Sequence, residues 1–88
     1  MFVILIYDVN AKRCNKLLKM CRKYLTWVQN SVFEGEISKS NYKKLVYEIN
    51  SVIDESEGDS VIVYTFRSLL YSRRDVYGID KKEDFQFL

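Results

Sequence analysis

An uninterrupted apolar run near the amino terminus constrains the fold of this chain more than any other feature. Phe2–Tyr7, with the sequence FVILIY, is apolar at every position and is followed at once by Asp8. Because successive side chains of a strand point to opposite faces, this run predicts a central strand that is apolar on both faces. The chain contains no histidine, so Asp8 is one of the few groups available for acid–base chemistry.

The rest of the chain alternates helical and β-prone segments and contains no proline. Apolar residues recur at helical spacing over about 11–24 and about 39–53, and Ser38 is suited to cap the second helix. Ser60–Phe66 has the composition of another strand. Residues 26–37 also favour β-structure, either as one long strand or as a hairpin that turns near residues 29–31, and periodicity alone does not decide between these two.

A hairpin in the middle would give the order β-α-β-β-α-β, which is the α+β ferredoxin-like arrangement with both helices on one face of a sheet. We therefore predict one domain over residues 1–88, in which the part after about residue 67 is a C-terminal extension with a short strand near 76–79. The uncovered face of the sheet would be apolar, which predicts a homodimer formed face to face. That face would carry these residues or the alternate ones of the same strands: Val3, Leu5, Tyr7, Val61, Val63 and Thr65.

The charges are distributed unevenly, although the net charge is only +2. Residues 9–33 contain six basic residues and no acidic one, whereas residues 45–66 contain five acidic residues and no basic one. Four of the lysines share the polar face of the first helix, namely Lys12, Lys16, Lys19 and Lys23. This face is either a solvated surface or a stripe that binds the phosphates of a nucleic acid.

The two cysteines and the amino-terminal run indicate a reduced, cytoplasmic protein. Cys14 and Cys21 lie seven residues apart on the predicted helix, which separates them by about 10 Å, too far for a disulfide bond. Two cysteines without a histidine also do not make a zinc site. The apolar run is too short for a signal peptide or a membrane span, so no membrane contact is expected.

Several stretches taken together resemble the CRISPR-associated Cas2 family, the small subunit of the machinery that captures new spacers. They are VILIYDVN, the helix start with Lys12 and Arg13, WVQNSVFEGEI and DSVIVYTF, and they cover nearly the whole chain. The resemblance implies a nucleic-acid-binding homodimer that acts with the larger Cas1 integrase on spacer DNA. It also implies a metal-dependent endonuclease, a phosphodiesterase that cuts RNA or DNA.

The resemblance also implies which residues form the site. Asp8 would be the catalytic residue and the ligand of Mg²⁺ or Mn²⁺, meeting its twin across the twofold axis so that two carboxylates and water complete the coordination. The neighbours of the site would be Tyr7, Arg13, Ser31 and Phe33. The residues that would bind nucleic acid are Lys12, Arg13, Lys16, Lys19 and Lys23. Trp27 stands where some nuclease-active members have arginine, and a late strand, here residues 76–79, would extend the sheet of the partner subunit.

Other functions are compatible with the same residues. Asp8 could instead cap the first helix, since aspartate is a favoured capping residue. The chain could be a stand-alone RNase toxin of the virulence-associated type, which shares the fold, or a non-catalytic scaffold. A ferredoxin-like regulatory module that binds a small ligand is a further alternative, but the three glycines stand singly and form no glycine-rich loop.

Overall fold

The computed structural model describes residues 1–68 and 73–82, and within these ranges the chain forms one antiparallel sheet and two helices. The elements are β1 (Phe2–Asp8), α1 (Ala11–Arg22), β2 (Thr26–Gln29), β3 (Val32–Glu36), α2 (Lys39–Val52) and β4 (Ser60–Phe66). The strand order is β2-β3-β1-β4, which makes β1 a central strand. The predicted ferredoxin-like α+β fold is thereby confirmed, with β2 and β3 forming a hairpin.

The hairpin turns at residues 30–31, inside the stretch whose structure the sequence left undecided. Asn30 has a positive φ of 42°, a conformation that asparagine adopts more readily than most residues with a side chain. The Trp27 indole donates a hydrogen bond to the Asn30 carbonyl oxygen at 3.0 Å. The register between the two strands shifts between Trp27 and Gln29, an irregularity of the bulge type that increases the local twist.

The first helix is capped by Asn10 and not by Asp8. The Asn10 side chain accepts a hydrogen bond from the Lys12 backbone nitrogen at 3.1 Å. Asp8 is still part of β1, where it pairs with Ser60 of β4. The interpretation of Asp8 as a helix cap is therefore wrong, because the strand continues through this residue and two further residues precede the helix.

The other predicted helix start is confirmed. The Ser38 hydroxyl accepts a hydrogen bond from the Asn41 backbone nitrogen at 3.1 Å, which satisfies one of the free donors in the first turn of α2. Both helices end earlier than periodicity predicted, α1 by two residues and α2 by one. Neither helix is long and apolar enough to cross a membrane, and the same holds for every helix in the described ranges.

Both helices pack on one face of the sheet, called here the helix-covered face, and leave the other face, the open face, without a helix. Val3, Leu5 and Tyr7 of β1 are buried on the helix-covered face, together with Leu17, Cys21, Phe33, Leu45 and Ile49. Of the two alternating sets that the sequence offers for the open face, the set with Val3, Leu5 and Tyr7 is therefore excluded. The alternate residues of the same strands occupy it, and four of them are large and exposed: Ile6, Ile62, Tyr64 and Phe66.

Residues 73–82 of the C-terminal extension lie against the open face on the side of β3. Arg74 Nε and Lys82 Nζ both reach Glu34 Oε1, each at 2.8 Å, and Glu34 is buried beneath them. The predicted strand at residues 76–79 is absent, since residues 73–82 contain no regular secondary structure. The segment contacts the face of the sheet rather than an edge, so its backbone has no neighbouring strand with which to pair.

The two cysteines are free, as predicted. Cys21 is buried under the sheet, and this burial raises the pKa of its thiol to about 12. A thiol with this pKa stays protonated at neutral pH and is a poor nucleophile and a poor metal ligand. Cys21 therefore acts as a small apolar residue of the core.

Candidate metal and nucleic-acid site

Asp8 presents its carboxylate to solvent at the end of the central strand. Its side chain is exposed and lies on the open face, two residues along the strand from Ile6. Within the described part of the chain it forms no hydrogen bond or ion pair. The β1–β4 ladder fixes the backbone of Asp8 through its pairing with Ser60, and the exposed carboxylate is available to a ligand.

A single chain does not offer a complete metal site around Asp8. Among the described residues there is no group of three or more histidine, cysteine, aspartate or glutamate side chains that could hold a metal ion. Mg²⁺ retains several of its waters and accepts one or two carboxylates. A site based on Asp8 thus requires either a substrate phosphate or a second copy of the chain to complete its ligands.

Tyr7 and Phe33, both predicted as neighbours of the site, lie on the opposite side of the sheet from Asp8. Both side chains are buried on the helix-covered face, with their ring centroids 6.3 Å apart. Burial raises the pKa of Tyr7, and a hydrogen bond with Ser31 opposes part of this increase. Phe33 has no exposed surface, so both rings support the strand from beneath and do not touch a ligand at Asp8.

Ser31 lies at the same end of the sheet as Asp8. Its carbonyl oxygen accepts a hydrogen bond from the Tyr7 backbone nitrogen at 3.0 Å, which brings the β2–β3 turn next to the end of β1. Trp27 pairs with Phe33 across the hairpin and packs against the core from the helix-covered face. Trp27, at the position that the family resemblance singled out, is therefore on the other face of the sheet from Asp8.

Arg13, the remaining predicted neighbour, is held in an ion-pair cluster with Asp59. Arg13 Nε lies 2.5 Å from Asp59 Oδ2, and Arg13 Nη2 lies 2.9 Å from Asp59 Oδ1. The same carboxylate accepts hydrogen bonds from the backbone nitrogens of Asn10 at 2.8 Å and Asp54 at 2.9 Å. Charge-assisted hydrogen bonds, and bidentate ones to arginine above all, are stronger than hydrogen bonds between neutral groups. Through these bonds the Asp59 carboxylate holds the β1–α1 connection against the segment that precedes β4.

The guanidinium of Arg13 also contacts a second acid. Its Nη1 lies 2.5 Å from Glu57 Oε2, and Gly58, with φ of 82°, forms the turn that places Glu57 and Asp59 on the same guanidinium. The Arg13 guanidinium, together with the backbone donors, holds the pKa of Asp59 well below its usual range. Asp59 has no exposed side-chain surface, and this buried carboxylate is the residue that sequence reasoning missed.

The lysines of α1 differ in how far they are already paired. Lys12 Nζ lies 3.0 Å from Glu57 Oε1, and Lys23 forms an ion pair with Glu48. Lys16 and Lys19 are exposed and form no ion pair within the described ranges. They line a groove of about 330 Å³ between α1 and α2. Of the predicted nucleic-acid-binding residues, these two have free ammonium groups.

The predicted site residues therefore fall into two groups separated by the sheet. Asp8 lies on the open face, whereas the lysines belong to α1, which packs on the other face. Arg13 and Ser31 lie at the Asp8 end of the sheet, but Arg13 is engaged by acids of its own chain. The structure does not gather the predicted residues into one pocket.

Comparisons with known proteins agree on the family. The family model described as CRISPR associated protein Cas2 matches residues 1–74. The CRISPR-associated endoribonuclease Cas2 of Dictyoglomus turgidum is 50% identical over 88 residues, which is 100% of both chains. That of Thermotoga maritima is 51% identical over 84 residues, covering 96% of this chain and 95% of that one.

Solved structures give the same result. One described as the crystal structure of cas2 has a TM-score of 0.83 and 42% identity, covering 92% of this chain and 90% of that one. The structure of Streptococcus pyogenes Cas2 at pH 6.5 has a TM-score of 0.77 and 31% identity, covering 89% of this chain and 100% of that one. Both the sequence of the whole chain and its fold match, and the chain belongs to the CRISPR-associated Cas2 family.

Proposed function

We propose that this chain is a nucleic-acid-binding subunit of CRISPR adaptation that works as a homodimer and cleaves phosphodiester bonds of RNA or DNA with a divalent metal ion. The observation that carries the proposal is the free carboxylate of Asp8, fixed at the end of a central strand beside an uncovered apolar surface. The names of the relatives, CRISPR-associated endoribonuclease Cas2, support the cleavage of RNA in particular.

The homodimer would form through the open face. Ile6 and Ile62 are direct partners across the β1–β4 ladder, and with Tyr64 and Phe66 they leave a continuous apolar surface in solvent. An uncovered apolar patch of this kind on a small domain is typical of an interface. A twofold axis near Ile6 would bring the two copies of Asp8 towards each other, because Asp8 lies on the same face and the same strand.

The residues present fit a divalent cation at this interface. Two carboxylates at close range repel each other unless one is protonated or a cation lies between them. One carboxylate from each protomer, with water in the remaining positions, suits Mg²⁺ or Mn²⁺. A bound cation would polarise a phosphoryl oxygen and lower the pKa of a bound water. The part played by this chain is to hold the two carboxylates on rigid strands at the dimer seam.

We further propose that the subunit works with the Cas1 integrase on spacer DNA. The second candidate function is that of a scaffold that binds nucleic acid and does not cleave it. The scaffold alternative is favoured by the position of the free lysines, Lys16 and Lys19, on the opposite side of the sheet from Asp8. A nucleic acid held by these lysines would not lie at Asp8. Binding without cleavage is what such a surface would provide by itself.

The C-terminal extension is expected to contribute to the same dimer. Tyr77 and Ile79 are 92% and 80% exposed, although the segment already lies on the open face. Large apolar side chains in this position would be buried by a partner subunit that covers the face. We therefore expect residues 73–82 to pack on the partner subunit in the dimer.

Ile62→Asp is expected to weaken dimerisation by at least about a hundredfold, because it places an unpaired charge twice in the apolar interface. Sedimentation velocity across a concentration series measures this change. Ser40→Asp, an exposed change in the first turn of α2, is the matched control and should leave the dimer intact. A stable monomer of the parent protein near 10.5 kDa would contradict the proposed dimer.

Replacing Lys16 and Lys19 by glutamate is expected to weaken the binding of duplex DNA and to flatten its dependence on salt. Each lost phosphate contact reduces the slope of log K against log salt by about 0.9 on duplex DNA. A titration of labelled duplex at several salt concentrations measures the slope. The same change at Lys39, which is exposed on α2, provides the control, and an unchanged slope would show that the lysine face is only solvated.

A further inference from the structure

A second surface with nucleic-acid chemistry lies on α2 and the segment after α1, away from Asp8, and it adjoins the Lys16–Lys19 groove at Glu48, which lines both. Tyr24, Tyr47, Lys43 and Lys44, called here the tyrosine–lysine patch, line a shallow hollow of about 360 Å³ together with Glu48. None of these residues was singled out by the sequence pattern as part of a site. The patch lies on helices, on the side of the molecule away from the open face.

Tyr47 has no role in the core that would explain an aromatic residue at its position. The core residues of α2 include Leu45 and Ile49, and a residue midway between them in a helix of 3.6 residues per turn points to the opposite side. The Tyr47 side chain is accordingly 77% exposed. A tyrosine ring exposed to this extent is available for stacking against a flat ligand.

The charges around Tyr47 favour an anionic partner. Lys43 and Lys44 precede it by four and three residues on the same helix, so both lie next to Tyr47 on the helix surface, one turn closer to the amino terminus. Both are exposed, and neither forms an ion pair within the part of the chain that the structure describes. The acid of the patch, Glu48, is already paired with Lys23, so little negative charge remains to repel a phosphate.

Tyr24 is held in place as the other wall of the hollow. Lys23 Nζ lies 5.6 Å from the centroid of the Tyr24 ring, within the range of a cation–π contact. The Glu48 carboxylate beside the Tyr24 hydroxyl raises the pKa of this phenol. Tyr24 is thus fixed by its neighbours, whereas Tyr47 is free to receive a ligand.

We propose that the tyrosine–lysine patch binds a single-stranded segment of nucleic acid, with an unpaired base stacked on Tyr47 and the adjacent phosphates on Lys43 and Lys44. Aromatic rings interleaved with basic side chains are the usual means of binding single strands without reading their sequence. The bases of a duplex are already stacked on each other and do not present their faces to Tyr47. The inference rests on the proposed function only in assuming that the protein binds nucleic acid.

The test compares the binding of short single-stranded oligothymidylate and of a duplex by fluorescence anisotropy in parent and variant proteins. Tyr47→Ala is expected to weaken single-strand binding about tenfold and to leave duplex binding within about twofold. Tyr47→Phe and Tyr47→Trp keep the aromatic face and should retain the binding of the parent. Lys43→Gln and Lys44→Gln should each reduce the salt slope on single strands by about 0.7, and Lys39→Gln is the matched control.

A base analogue reports stacking directly. An oligonucleotide that contains 2-aminopurine is expected to lose fluorescence on binding to the parent and to Tyr47→Phe, but not on binding to Tyr47→Ala. If Tyr47→Ala binds single strands like the parent, or weakens single-strand and duplex binding equally, the stacking site is refuted. Tyr47→Ala that alters the sedimentation of the dimer would instead show a protein interface and would also overturn the inference. A parent protein that binds no nucleic acid would overturn the proposed function itself.

Discussion

Replacing Asp8 by asparagine is expected to reduce metal-dependent cleavage by at least about a hundredfold while the fold persists. A metal ion contributes several kcal/mol to the stabilisation of a transition state in phosphoryl transfer, and each dimer would lose both charged ligands at once. Asparagine has nearly the same size, and Asp8 makes no described side-chain contact that its loss would break. Cleavage of labelled RNA and duplex DNA in Mg²⁺ or Mn²⁺, together with thermal unfolding, measures the two effects separately.

Glu55→Gln is the matched control, since Glu55 is an exposed acid away from the open face, and it should leave cleavage unchanged. Nucleic-acid binding by Asp8→Asn should stay the same or become tighter, because phosphates no longer face two carboxylates. Full metal-dependent activity of Asp8→Asn would remove the metal proposal. Spacer integration by both parent and variant, without cleavage by either, would establish the scaffold alternative.

Asp59→Asn is expected to lower the melting temperature by roughly 10 °C at neutral pH, because the buried ion pair with Arg13 is broken and only Glu57 is left to pair with the guanidinium. Arg13 would lose its bidentate partner, and the backbone nitrogens of Asn10 and Asp54 would face an amide instead of a carboxylate. Glu57→Gln is the control with a smaller expected effect. Glu57 is partly exposed, and Arg13 keeps Asp59 in that variant.

The same pair predicts how stability depends on pH. The pKa of Asp59 in the folded protein lies below that of an unfolded aspartate, so its contribution is fully present above about pH 3.9. That contribution is lost as the pH falls further, through the folded pKa. The difference in melting temperature between the parent and Asp59→Asn should therefore be constant near neutrality and should narrow in acid. A difference that does not change with pH would contradict the assigned role of this carboxylate.

The order of strands and helices could be predicted because local patterns determine it. Phe2–Tyr7 is apolar throughout, the two helices have clear apolar faces, and Ser38 caps α2 as expected. The face of β1 that the helices would cover could not be predicted, because Val3 and Leu5 are as apolar as Ile4 and Ile6. Because both alternating sets of β1 residues are apolar, the pattern of hydrophobic residues does not show which face of the strand packs against the helices.

The part of the candidate site that could be predicted is the one that a single residue and its local sequence reveal. Asp8 stands out because it ends an apolar strand in a chain without histidine. The contact between Arg13 and Asp59 joins residues 46 positions apart, and no local pattern reports such a pairing. The separation of positive and negative segments was visible in the sequence. The sequence does not show, however, that Lys12 and Arg13 pair with Glu57 and Asp59 and neutralise them.

Under the proposed function, the sheet that separates Asp8 from Lys16 and Lys19 would also separate the free energy of binding a nucleic acid from the barrier to cleaving it. A layer of strands with its side chains is about 10 Å thick, and substitutions at that distance without shared partners have nearly additive effects. Changes at the lysines should therefore alter affinity without altering the reaction at Asp8, and the reverse should also hold. Substitutions on one face of the protein at a time should therefore yield one variant that binds nucleic acid without cleaving it and another that cleaves with reduced affinity.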